Sequence, residues 1–213
     1  GGNIQLKGHL VTTDATGWVA GSCGSLAAVV LNGSINQSIS GSGWVNYLHI
    51  AKTGGNVLMP DNLDLQAGGK LTGTGFFANT GGVFNTSGNA TFNFSGAIED
   101  LKLTTNGGTR IVTLNQDLQV SNTLTLAGAG AGFSLQASPA GKKLKVGGNV
   151  STEVFSWNAS TNAFISLTGS TDQTITTVGS GSLFKLDVNK TGGNVLMPAD
   201  IWLYLNGELT GSG

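Results

Sequence analysis

Charge is what this chain lacks most. Only 10 % of its 213 residues are Asp, Glu, Lys or Arg, against roughly a quarter in an average soluble protein. Arg110 is the single arginine, and the net charge is −1. Nucleic-acid binding needs a basic stripe to neutralise phosphates, and none exists, so no nucleic-acid partner is expected. Cysteine is almost absent too: Cys23 stands alone in GSCGS, so no intrachain disulfide can form. The histidines are His9 and His49 only. Two histidines and one cysteine show no zinc-ligand spacing, and a Cys23–His nucleophilic pair lacks a third, orienting group. No run reaches the ~20 apolar residues of a membrane helix, so no membrane insertion is expected. No signal peptide is visible. The chain opens on Gly-Gly at a repeat boundary and stops at GSG within a repeat. It reads as a piece of a longer polypeptide whose targeting segment would lie elsewhere.

Helical periodicity is also missing, because glycine, with 35 residues, interrupts almost every window. Short alternating runs bounded by Gly, Asn, Ser and Asp take its place, such as LDLQ at 63–66, TFNF at 91–94 and LKLT at 101–104. These are strand signals. The chain also repeats itself. Residues 52–75 read KTGGNVLMPDNLDLQAGGKLTGTG and residues 190–213 read KTGGNVLMPADIWLYLNGELTGSG, with a weaker copy at 105–128. The double glycines of these copies, and of the GGNIQL that opens the chain, fall at 1, 54, 107 and 192, spaced by 53, 53 and 85. Repetition of this kind predicts a fold built by stacking one unit.

Aligning the copies predicts a core. Val45, Leu48 and Ile50 match Ile98, Leu101 and Leu103, and also Leu183, Leu186 and Val188. Between them lie His49, Lys102 and Asp187, chemically unrelated residues in one column, as an outward position of a half-buried strand allows. Leu65, Leu118 and Leu203 share a further column, as do Leu71, Leu124 and Leu209. The corner glycines Gly54, Gly55, Gly107, Gly108, Gly192 and Gly193 would supply positive φ or permit close coil-to-coil approach. Asn3, Asn56 and Asn194 follow them, with Thr109 in the divergent copy, and would stack as an amide ladder.

The expected fold is all-β: a parallel β-helix or β-solenoid of about eight coils, each of about 26 to 28 residues. Residues 1–213 would form one continuous solenoid with internal repeats at 1–53, 54–106, 107–191, which holds one extra coil, and 192–213, which is incomplete. The competing layout is an array of β-sandwich units.

Few residues carry chemistry. The eleven acidic residues are scattered, and the closest pairs, Asp61 with Asp64 and Glu99 with Asp100, read as turn carboxylates. Lys142, Lys143 and Lys145 follow SPAG, a turn signal, and read as a solvated corner. GAGAG at 128–132 lacks the Gly-Lys-Ser/Thr of a phosphate loop. Calcium-type repeats need Asp at a fixed offset that these double glycines lack. Thr72–Thr74, Thr123–Thr125 and Thr174–Thr176 form no regular array, which leaves an ice-binding solenoid a remote alternative. No catalytic residue, metal or cofactor is expected. The ligand-binding candidates are aromatic: Trp44, Trp202 and Tyr204, which could stack on sugar rings or on a partner protein.

QSISGSGWVNYLHIAKTGGNVLM at 37–59 and QTITTVGSGSLFKLDVNKTGGNVLM at 173–197 resemble repeats of large secreted bacterial surface proteins. These are adhesin-like β-solenoids in the style of filamentous haemagglutinin and autotransporter passengers, and especially of repeat proteins exported by Bacteroidetes-type bacteria. The resemblance implies an extracellular structural or adhesive role and supplies no catalytic residues. The expected function is therefore a rod or fibre segment that stacks head-to-tail. Its partners would be neighbouring copies or adjoining repeats through the solenoid ends, together with surface glycans or cell-surface proteins. The alternative is a carbohydrate-binding or carbohydrate-cleaving β-helix.

Overall fold

The computed structural model describes residues 3–11, 27–41, 43–129, 133–152, 157–159, 162–177, 181–197 and 201–211. Among them there is no helix, and every paired strand is parallel to its neighbour. The chain is a β-solenoid with three strands per turn. Face one is a ten-stranded sheet running from Leu10–Val11 to the last strand, Ile201–Gly211. Faces two and three belong to one fourteen-stranded sheet. They are continuous because Gly43–Ala51 and Leu63–Thr74 run around the corner between them, each with a break in register.

Following one inward position down face one gives the turn length directly. Gln37, Val57, Phe77, Ile98, Val120, Val146, Leu167 and Val188 are successive register partners. Each step between them is one turn, equally short from Gln37 to Val57 and from Val57 to Phe77, and longest from Val120 to Val146. Seven turns separate Gln37 from Val188, and one further rung lies at each end of that sheet. The number of coils is close to the eight expected, but most turns are shorter than the sequence repeats suggest. The double glycines therefore do not recur at one corner. Gly54 lies where the chain passes from face three to face one, Gly107 between faces two and three, and Gly192 between faces one and two. The two near-identical segments are thus out of phase with the turn. A three-sided coil permits this because each strand–corner–strand segment can serve on any side.

Alternation along each strand fills the interior. Leu48, Ile50, Leu65, Leu71, Leu101, Leu103, Leu118, Leu124 and Leu186 are all at most 1 % exposed. His49 and Lys102 point outward between them, as strand pleating dictates. Val188 is partly buried against the same core. Leu209, expected in it, is 58 % exposed, because no described strand lies beyond Ile201–Gly211. The side chains of Leu183 and Leu203 lie outside what the structure describes. Four rings plug the middle of the stack. Phe77 meets Phe84 edge-on at 5.2 Å and Phe94 at 5.6 Å, and Phe92 tilts against Phe84 at 6.3 Å. Rings from all three faces thus meet on the axis in the favoured aromatic geometry.

A clasp explains the sequence that the chain states twice. Gln37 is buried at a corner; its Nε2 donates to Leu6 O and Gly8 O, and its Oε1 accepts from Gly33 N. Lys52, one turn on, donates through Nζ to Gly33 O, Ile35 O and Gln37 Oε1. The second copy repeats this: Gln173 bonds Val146 O, Gly148 O and Gly169 N, and Lys190 bonds Gly169 O, Thr171 O and Gln173 Oε1. A Lys stem spans the corner while its ammonium satisfies carbonyls that have no strand partner. The neighbouring glycines let the corners touch. A Cβ on Gly55, at φ 65°, would lie 2.3 Å from the Ile35 carbonyl carbon; one on Gly193, at φ 69°, would lie 2.3 Å from that of Thr171.

The amide ladder expected of Asn3, Asn56 and Asn194 is not formed, because these residues lie at different corners of turns that are not adjacent. Asn56 N donates instead to Asn36 Oδ1, and Asn194 N to Asp172 Oδ1, in the corner beneath each. Asn3 Oδ1 accepts from Ala28 N.

Candidate ligand-binding face

The scattered acids are mostly used within corners. Asp61 accepts from Gly41 N at 2.7 Å, Glu99 from Asn79 N at 2.7 Å, and Asp100 from Asn79, Asn122 and Thr123. His9 Nδ1 accepts from Ser38 N, and His49 Nδ1 meets Thr72 Oγ1 at 2.8 Å. Among the described residues no three of His, Cys, Asp and Glu converge as a metal site would require. Cys23 lies outside the described residues, as do Gly130, Ala131 and Gly132 of the GAGAG run.

Two outward surfaces carry more than corner chemistry. The first is on face two. Trp44, half-buried, sits one rung from Asp64, and Asn85 and Lys102 follow in the same outward column. Asn85 Nδ2 donates to Asp64 Oδ1, and Thr104 Oγ1 donates to Asn85 Oδ1 at 2.8 Å. Trp202 is in backbone register with Ser182, but the side chains of Trp202 and Tyr204 lie outside the description. Of the three aromatic candidates, only the Trp44 side chain is among those described.

The second surface is on face one, and here the structure corrects the solvated corner expected of the three lysines. Only Lys142 stands at the corner; Lys143 and Lys145 are on the strand Lys143–Val146. Gln119, Lys145, Ser166, Asp187 and Thr210 form one outward column down successive turns. Asp187 is buried, and its Oδ2 accepts from Lys143 Nζ at 2.7 Å and Ser166 Oγ at 2.6 Å, while Oδ1 accepts from Thr210. Burial pushes the Asp187 carboxyl up, but the hydrogen bonds from Lys143, Ser166 and Thr210 outweigh it and hold the group below the usual carboxylate range. Lys185 pairs with Glu208 at 2.9 Å and stands 4.8 Å over the Phe164 ring.

Higher on the same face is an open depression of about 420 Å³ lined by Ser95, Gly96, Gln116, Asp117, Gln119, Lys142 and Lys145. It lies where the turn lengthens: the step from Leu118 to Leu144 is longer than the next, from Leu144 to Ile165, and the extra chain carries Lys142 to the rim. Asp117 accepts from Lys145 Nζ at 2.8 Å and from Lys143 N at 3.0 Å. Partial burial raises the Asp117 carboxyl, but these bonds and the lysine charges more than reverse it, so it stays ionised below the usual range.

Comparison of the chain with family models, with curated proteins and with solved structures finds no match.

Proposed function

We propose that this chain is a rigid rod segment of an extracellular bacterial surface protein or fibre. It is structural and adhesive rather than catalytic, and it extends by stacking turn upon turn. One observation carries the reading. The strand Leu63–Thr74 is covered by Phe84–Thr86 and Ala90–Phe94, and its Leu71 is fully buried beneath Phe92. The last strand, Ile201–Gly211, repeats its sequence context and its break in register, yet the Leu209 that matches Leu71 is 58 % exposed. A surface that is capped within the molecule is thus offered again with no cap among the described residues. A further turn resembling residues 76–98, from adjoining repeats or from another copy, would restore the burial.

The test is to append residues 76–98 after Gly213, in phase with their natural position after Gly75. Stacking predicts a higher melting temperature and slower exchange of the Leu209 amide. Unchanged melting and exchange would remove the reading.

A further inference from the structure

We propose that the depression beside Lys142 is a binding site for a carboxylated sugar unit, a uronate of an acidic glycan. The proposal supplies a ligand for the adhesive side of the function above but does not depend on stacking at the ends. The volume, about 420 Å³, falls within the range of small-molecule sites. Its lining is glycine plus hydroxyl, amide, carboxylate and ammonium groups, with no aliphatic or aromatic side chain, so an apolar ligand gains nothing there.

The hydrogen-bond inventory narrows the choice. Lys145 is held by Asp117. The Gln116 amide donates to Asn93 Oδ1 at 2.7 Å, and the Gln119 amide donates to Val120 O at 3.1 Å. What remains among the described residues of the lining is one unpaired ammonium on Lys142, the Ser95 hydroxyl, the amide oxygen and second amide N–H of Gln116 and of Gln119, and spare acceptor capacity on Asp117. A single free cation among hydroxyl and amide groups matches a ligand with one negative charge and several hydroxyls, which both donate and accept. A phosphate or sulfate dianion would meet Asp117 with only one free lysine to offset it, and a neutral sugar would leave Lys142 unused. The surface continues along the axis to Phe164 and Lys185 with a rung every ~4.8 Å. That spacing is close to the length of one pyranose ring in an extended glycan, so neighbouring units of the same chain can lie along the face.

The experiment is calorimetric titration of the whole chain with a hexamer of galacturonic acid, a neutral glucose hexamer and inorganic polyphosphate. The galacturonate hexamer is expected to bind, and both controls to bind at least about tenfold more weakly. Lys142→Ala should weaken galacturonate binding about tenfold, the effect of losing one charge-assisted hydrogen bond. Lys70→Ala, which removes an exposed lysine of face three, should leave binding unchanged. Circular dichroism verifies that both variants keep the parent fold. No galacturonate binding, equal binding of polyphosphate, or equal losses in the two lysine variants would each overturn the proposal.

Discussion

Replacing Gly55 and Gly107 by alanine, each in turn, separates two reasons for glycine at a corner. Both residues have positive φ, 65° and 83°. Alanine in that region costs about 1–2 kcal/mol from its own backbone sterics. At Gly107 nothing lies within 4 Å of the added Cβ, so that is the whole expected cost. At Gly55 the Cβ would also lie 2.3 Å from Ile35 C and 2.5 Å from Asn36 N, both backbone atoms of the turn beneath. The two corners must then part. Parting them strains the bonds from Gln37 N to Asn56 O, from Asn56 N to Asn36 Oδ1 and from Lys52 Nζ to Ile35 O. At about 0.5–1.5 kcal/mol net for each bond, Gly55→Ala should cost roughly 3–6 kcal/mol in all. Urea unfolding followed by circular dichroism measures both variants. Equal losses would refute corner-on-corner stacking as the reason for the second glycine.

Gly193→Ala should resemble Gly55→Ala rather than Gly107→Ala, because its Cβ would lie 2.3 Å from Thr171 C; urea midpoints decide this. Phe77→Ala empties the point where the three faces meet and should cost about 3–5 kcal/mol in the same assay. Gln37→Leu leaves Gly33 N and two carbonyl oxygens without their side-chain partner and should cost about 1–3 kcal/mol. The Asp117 and Asp187 carboxyls are held below their ordinary range, so their contribution is complete above the unfolded carboxylate pKa, about 4. It is lost as pH falls through the lowered folded values. Asp187→Asn should therefore flatten the acid limb of a melting-temperature profile below about pH 4 and leave the slope above it unchanged.

Alternation was legible because it is local. The triplets Leu48–His49–Ile50 and Leu101–Lys102–Leu103 each declare which side faces inward, and burial follows that pattern. The length of the turn was not legible. The three corners of a turn accept the same double glycine, so the interval between signals does not measure a turn. The clasp does leave a trace, since Gln37 and Lys52 recur together as Gln173 and Lys190; its meaning depends on which corner each residue spans. The charged surface of face one leaves almost none. Asp187 meets Lys143 from 44 residues away, two turns along the axis, and only a known turn length could have predicted that meeting. The same holds for Trp44 beside Asp64.

The central claim is a parallel solenoid in which the turn that leaves Asp64 closes at Asn85. Cross-linking tests it directly in a chain carrying Cys23→Ser. Asp64→Cys and Asn85→Cys occupy facing outward positions in parallel register. Their α-carbons should be about 4.8 Å apart, within disulfide range. The account predicts that this pair oxidises within the monomer with an unchanged circular dichroism spectrum, whereas Asp64→Cys with Asn89→Cys stays reduced. Oxidation of the second pair in preference to the first would make the turn longer, closing at Asn89 rather than Asn85, and would contradict the register on which both outward surfaces depend.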